Sequence, residues 1–329
     1  MGPMPDISLR QIEAVIAVYE EGSFTRAAAR ENATQSGISQ HIAAVERTLG
    51  LKLFERASGS VTPTPAGQRY YKRCIDAVGR IESAHEEVRE FASAVAGDLR
   101  IGLMPTMTRA ALAPTLEQFT PRYPDVRLHI VEGYSGLLTD MVLADELDFA
   151  VVPTFEGRVG LKSRLIVRDR EMLLSNPKMG LKHLEPIRLK DCGRLKLVVP
   201  SRTNVRRRNI EIYLETHGVE VASIMEMDAM IGTIQFVARS DWVTILSGLF
   251  CVTDIDRNER AVSPLYDPPL FAESVVITQA RRTPSVQARR FLEIFEAEIE
   301  RIQQVWARTI PPTMFPERPS RPARRPRKL

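Results

Sequence analysis

Apolar residues near the start of the chain recur at helical spacing. Leu9, Ile12, Val15, Ile16 and Tyr19 fall on one face of a helix that Gly22 ends. Ser23 is placed to cap a second, short helix, whose Ala27, Ala28 and Ala29 let a neighbouring helix come close. Asn32 and Ala33 break it. Thr34 then caps a third helix, in which Ile38, Ile42, Val45 and Leu49 line one face. Its other side collects Gln35, Ser36, Ser39, Gln40 and His41.

In the following stretch, "GLKLFERASGSVTPTPAG", Leu51, Leu53 and Phe54 would lock onto the helices, and Ser58-Gly59-Ser60 would turn between two short extended pieces. That pattern is a wing. Arg56 sits at its base, within reach of a phosphate, and Thr62 and Thr64 precede the next helix. Two short helices joined by a tight turn, the second presenting hydrogen-bonding side chains at its N-terminal end, form a helix-turn-helix. Gln can bond an adenine edge twice, Ser can reach a base or a phosphate, and the helix N-terminus attracts an anion. The competing reading is a merely solvated face.

Residues 8 to 67 resemble the winged helix-turn-helix of LysR-type transcriptional regulators, through "LRQIEAVIAVYEEGSFTRAAAREN", "TQSGISQHI", "LGLKLFER" and "TPAG". The resemblance implies binding of double-stranded promoter DNA, with Ser23, Thr34, Gln35, Ser36, Ser39, Gln40, His41, Arg56 and Thr62 as candidate contacts. The chain departs from the family at Glu31, where leucine is common, and at Gln40, where arginine is common. An arginine often found in the wing near Ser58 to Ser60 is also missing. Residues 1 to 66 hold six Lys or Arg against seven Asp or Glu, so one such domain should grip DNA weakly.

Tyr71, Cys74, Val78, Ile81, His85, Val88, Ala92 and Val95 then alternate spacings of three and four, which predicts a coiled-coil seam on a long linker helix. An amphipathic helix packed on its own domain is the alternative. The resemblance implies that two linker helices pair antiparallel, giving a homodimer or homotetramer, and it leaves room for contact with RNA polymerase.

From Gly97 strands and helices alternate: "GDLRIGL", a helix from Arg109 to about Tyr123, "VRLHIVE", a helix from about Leu137 to Ala144, and "LDFAVVP". A second series opens near Met172 with "REMLLSN", "LKLVVP", a helix near Arg206 to Thr216, "VASIMEM", a helix near Met230 to Ala238 and "WVTILS". Then "ESVVITQA" and a helix from Ser285 to Trp306 follow. The order predicts an α/β fold with a mostly parallel sheet in two lobes. The expected organisation is a winged helix-turn-helix at 1–66, a linker helix at 67–96 and a two-lobed, periplasmic-binding-protein-like effector domain at 97–306. Within it lobe 1 spans about 97–170 and 270–306, and lobe 2 about 171–269. Ligands of such folds sit beyond the carboxyl ends of the strands. The loops there supply Thr106, Met107, Thr108, Ser135, Pro153, Thr154, Arg202, Thr203 and Asn204; any single Ser or Thr at a helix start is better explained as a cap, and it is their placement after successive strands that points to a site. Family members bind effectors between the lobes, so the resemblance points to the same loops. Of Arg206, Arg207 and Arg208, which face different ways on a helix, Arg206 is the choice, with Arg202, for meeting a carboxylate.

Charge changes the picture at one end. The net charge is +4, yet residues 307–329 carry seven basic groups and one acidic, leaving 38 basic and 40 acidic elsewhere. That Pro- and Arg-rich tail has no apolar periodicity and reads as extended and disordered. It either adds non-specific affinity for DNA or is a solubilising extension.

Three cysteines without a CxxC pair, and histidines scattered at 41, 85, 129, 183 and 217, argue against a disulfide framework and a zinc site. No phosphate-binding glycine motif occurs, and "GYSGL" lacks the last glycine of a nucleophile elbow, so no enzyme, metal or cofactor is expected. The N-terminus lacks a signal-peptide pattern, and no apolar run reaches the roughly 18 residues a membrane span needs. The expectation is a soluble, cytoplasmic regulator with no membrane partner, whose promoter binding or bending responds to a small carboxylate or aromatic acid. The alternatives are an architectural DNA-binding protein with a vestigial cleft and a cleft enzyme fused to a DNA-targeting head.

Overall fold

The computed structural model describes residues 6–57, 60–92, 95–155, 157–202 and 204–310. Ser58, Gly59, Thr203 and the basic tail from residue 311 on lie outside the described residues. The chain divides into two units.

The first unit holds the residues through Val95 together with Gly157–Lys162 and Thr278–Val286. Ser8 opens α1 (Leu9–Glu21) with a capping box shared with Gln11, and Gly22 ends it in the left-handed conformation at φ 57°. Ser23 caps α2 (Phe24–Arg30) and Thr34 caps α3 (Gln35–Leu49), both where the sequence put the boundaries. Val15, Val18, Ala27, Ile38, Ile42 and Val45 close the core between these helices. Strands β1 (Phe54–Ala57) and β2 (Ser60–Pro63) pair antiparallel as the wing.

Helix α4 (Pro65–Ala92) starts behind Thr64, whose hydroxyl accepts from the Gly67 N–H at 3.0 Å. Gly67 is required here by close approach, since a Cβ would stand 2.1 Å from the Leu53 carbonyl oxygen. The seam predicted along α4 is divided in use. Tyr71, Cys74, Ile75 and Val78 are buried against Ile16 of α1 and against Ala280, so this half packs within its own unit. The Tyr71 ring stacks on Tyr19 at 3.8 Å, and its hydroxyl donates to Glu20 at 2.8 Å. Only further along does the stripe stay open, with Ile81 41% and Val88 69% exposed. Periodicity shows that a stripe is apolar but not what covers it.

The second unit carries β3 (Gly97–Leu103), α5 (Pro105–Met107), a π-helical turn (Thr108–Leu112), α6 (Ala113–Arg122), β4 (Val126–Glu132), α7 (Ser135–Leu143) and β5 (Phe149–Pro153). Next come β6 (Leu161–Ser175), β7 (Leu195–Val199), α8 (Val205–Thr216), β8 (Val221–Glu226), α9 (Met230–Val237) and β9 (Trp242–Ser247). The chain then runs through α10 (Gly248–Cys251), β10 (Ala261–Pro264), β11 (Phe271–Gln279) and α11 (Val286–Thr309). The strand order is β4-β3-β5-β11-β6-β9-β7-β8, with β10 on β6. Each end of the sheet is parallel, as alternation of strands and helices requires. The middle is not: β11 runs antiparallel to β5, and β6 antiparallel to β9 and β10.

Several elements differ from their expected extents. Strand β6 begins at Leu161 rather than near Met172, because its first half is polar and exposed and carries no strand pattern. The predicted helix from Arg109 is interrupted at its start by the π turn, and α11 continues past Trp306 to Thr309. Leu99, Ile101, Phe119, Phe149, Phe291 and Phe295 form one core, and Leu173, Leu197, Ile210, Tyr213 and Val243 a second. No helix among the described residues is long and apolar enough to cross a membrane.

Candidate functional site

On α3 the apolar face is spent on the core, and the polar face is left outside. Gln35, Ser36 and Gln40 are exposed, while Ser39 and His41 are partly covered. Arg47, two turns beyond Gln40, also lies exposed on that side, a position that the polar cluster at the helix start does not point to. Thr34 Oγ1 accepts from the Gly37 N–H at 3.1 Å and Ser23 Oγ from Arg26 N–H at 3.3 Å. Both hydroxyls therefore work as helix caps. Thr62 is exposed on β2, and Arg56 stands opposite Val61 in the wing pairing.

The wing is tied to α3 by Glu46, which is buried. Its Oε1 accepts from the N–H groups of Leu53 (2.9 Å) and Phe54 (3.3 Å), and its Oε2 from Lys52 Nζ (2.6 Å). Burial alone would raise this carboxyl, but the Lys52 bond and the two amides outweigh it and hold the group below the usual carboxylate range. Other cations of this unit are also engaged. Arg30 meets Glu20 at 2.5 Å and Glu21 at 3.2 Å, and Arg26 donates to the Glu21 carbonyl. Arg10 and Arg47 stay exposed on the helices of the winged part, and Arg69, Lys72, Arg73 and Arg80 are exposed along α4.

Within the second unit a mainly apolar cavity, open at its mouth, lies beyond the carboxyl ends of β3 and β7. Among the expected residues, Thr106, Asn204 and Arg206 line it. Tyr134, Met227, Met230, Thr233 and Thr244, which lie outside the expected set, also line it; Tyr134 and Met227 follow the ends of β4 and β8 and so obey the same rule. The Tyr134 hydroxyl donates to the Asp228 carbonyl at 2.8 Å, and Asp228 Oδ1 accepts from the Ser201 N–H at 3.0 Å. These bonds join loops that follow β4, β7 and β8.

The remaining expected residues are placed elsewhere. Pro153 and Thr154 line a second, more polar hollow, together with Arg168, Glu171 and Phe271. Met107 is buried in the core, and Thr108 bonds Glu132 and the Pro105 carbonyl. Ser135 is buried at the start of α7, and Arg202 is exposed; neither lines the two hollows. Asn204 caps α8, its Oδ1 accepting from the Arg206 N–H at 3.0 Å.

The arginine run at the start of α8 separates by face. Arg206 turns inward and lines both hollows. Its Nη2 donates to both oxygens of Glu171 at 2.8 Å and to the Ile245 carbonyl at 3.2 Å. Arg207 instead bonds Glu211 (2.6 Å) and the Pro200 carbonyl (3.2 Å), and Arg208 is exposed. Beside Glu171 on β6, Asp169 accepts from the Leu249 N–H at 2.6 Å. Burial pushes its carboxyl up to about 7, with the Glu171 charge adding to the rise. No thiol is poised to react: burial raises Cys74 to about 11, raises Cys192, and puts Cys251 well above its usual value. Among the described residues no cluster of His, Cys, Asp or Glu could hold a metal.

Residues 9–68 match the family described as bacterial regulatory helix-turn-helix protein, lysR family, and residues 92–300 match the LysR substrate binding domain. The transcriptional activator protein LysR of Escherichia coli (strain K12) is 29% identical over 249 residues, covering 75% of this chain and 79% of that protein. A probable hydrogen peroxide-inducible genes activator of Streptomyces viridosporus is 26% identical over 305 residues, 92% of this chain and 97% of its own length. The fold is also that of full-length BenM, with a TM-score of 0.53 at 21% identity, covering 95% of this chain and 99% of that one. A mutant OxyR from Corynebacterium glutamicum with hydrogen peroxide bound gives 0.54 at 19% identity, over 97% and 99% of the two chains.

Proposed function

The chain belongs to the LysR family of bacterial helix-turn-helix transcriptional regulators, and on that premise we propose that its effector is a small carboxylate or aromatic acid held between the two lobes. It is a regulator of transcription and not an enzyme. The observation that carries the effector class is the meeting of an apolar cavity, walled by Met104, Met227, Met230 and Ile245, with one inward cation, Arg206. Such a cavity suits an apolar body, and a guanidinium suits an acid head. A peroxide-sensing thiol finds no support at the buried cysteines.

In the first unit, the exposed Gln35, Ser36 and Gln40, with Ser39 and His41 beside them, read base edges, and the exposed Arg47 and Thr62 meet the backbone, joined by Arg56 as the sequence of the wing suggests. Ser23 and Thr34 contribute by capping the helices that carry these groups. The open half of α4, around Ile81 and Val88, is the surface for a second copy.

The test uses DNA fragments selected in vitro by the wild-type chain. Gln35→Ala should lower discrimination against scrambled DNA by about 1–3 kcal/mol, whereas Arg56→Ala should weaken all sequences alike. For the cleft, Thr106→Val should lose a thermal shift produced by small aromatic acids while DNA affinity stays. Full discrimination in Gln35→Ala refutes the recognition face, and an unchanged acid response in Thr106→Val refutes the cleft.

A further inference from the structure

The cation that would meet an acidic effector already holds an acid. Glu171 and Arg206 are both largely buried, and Glu171 sets its two oxygens on a single nitrogen, Nη2, at 2.8 Å each. The Arg206 Nε is buried and has no hydrogen-bond partner. A guanidinium matches a carboxylate along an edge of two nitrogens, so the internal pair satisfies Arg206 incompletely. Arg206 also stands between the apolar cavity and the polar hollow, lining both, whereas Glu171 lines only the polar one.

We propose that Glu171 is a stand-in for the ligand's carboxylate: it pairs with Arg206, and a monocarboxylate with an apolar body binds by taking Arg206 from it. The inference rests on the cleft reading above and adds what a ligand must displace there. The ligand's body fills the apolar cavity, and its head pairs with Arg206 from that side. Glu171 has somewhere to go. Its own hollow is polar and holds Arg168, whose present contact with Glu273 is a loose 3.6 Å between exposed groups, so the displaced carboxylate regains water and a cation. Because Glu171 lies on β6, the strand hydrogen-bonded to β9 and β10 and next to β11, its release is delivered to the middle of the sheet.

The stand-in makes a chemical-rescue experiment possible without knowing the natural effector. Full-length Glu171→Ala should melt below wild type, and benzoate should restore it more than acetate, at constant ionic strength. Chloride and the neutral benzamide should do nothing. Adding Arg206→Met should abolish the rescue. Should Glu171→Ala fail to fold, Glu171→Gln keeps the shape, and calorimetry should find benzoate binding at least tenfold tighter than in wild type. Equal benzoate affinity in wild type and Glu171→Gln, or binding in neither, overturns the stand-in. If that equal binding is lost on Thr106→Val, the cleft reading survives alone. Tight binding to Glu171→Gln that ignores Thr106→Val upholds the stand-in at Arg206 and overturns the apolar cleft as the place of the ligand's body.

Discussion

Replacing Glu46 by alanine removes the one side chain that accepts from both the Leu53 and the Phe54 N–H groups. Those residues are themselves buried, so the amides lose their acceptor away from water, at about 1–3 kcal/mol each. Lys52 adds little, because its ammonium is mostly exposed and such pairs contribute roughly 0–1 kcal/mol. Allowing for water reaching one amide, Glu46→Ala should cost about 2–4 kcal/mol locally. Glu46→Gln keeps a carbonyl oxygen in place of Oε1 and should cost about 1 kcal/mol. The carboxyl is held low in the folded chain, so its stabilisation is present above the ordinary carboxylate pKa and is lost as pH falls through the folded value. The glutamine variant should lack that acid-side loss. Two units need not unfold together, so native-state hydrogen exchange at Leu53 and Phe54 is the assay, read from pH 3 to 7, a window of about four units around the carboxylate range. A glutamine variant as damaged as alanine, or an alanine variant within about 0.5 kcal/mol of wild type, would refute the account of the wing.

Asp169 has the opposite sign: its carboxyl is raised to about 7, so the folded chain binds the proton more tightly and stability falls as pH rises from about 4 to about 7. The upper bound on that fall is about 4 kcal/mol, and Asp169→Asn should flatten the melting temperature against pH in this window; a variant parallel to wild type would sink the assignment. Gly67→Ala should destabilise the first unit by roughly 1–3 kcal/mol, because its Cβ would overlap the Leu53 carbonyl oxygen, and a melting curve unchanged from wild type would show that α4 has room to shift.

The first unit was legible because its signals are local. Ser23, Thr34 and Gly22 act within one turn of where they stand, and the apolar stripe of α3 needs only the core beside it. The same locality made the two parallel series of strands readable, and it placed Thr106, Asn204 and Arg206 at one cavity. Ser135 and Arg202 follow the same rule of position yet line neither hollow, since a loop's place in the chain does not fix the direction of its side chains.

What the sequence by itself determined is the order of elements, their caps, and which side of each helix must be buried, all set by spacings within a few residues. What only the tertiary structure decided is partnership. Tyr71 and Cys74 meet α1 instead of a second copy, Glu46 holds the wing, and Arg206 finds Glu171 from another strand. Tyr71 and Arg206 meet residues far off in the chain and Glu46 meets amides seven and eight residues on, beyond one helical turn, and the strength of each pairing depends on burial and on the orientation of a donor toward an acceptor. Neither quantity exists until the sheet and helices are packed.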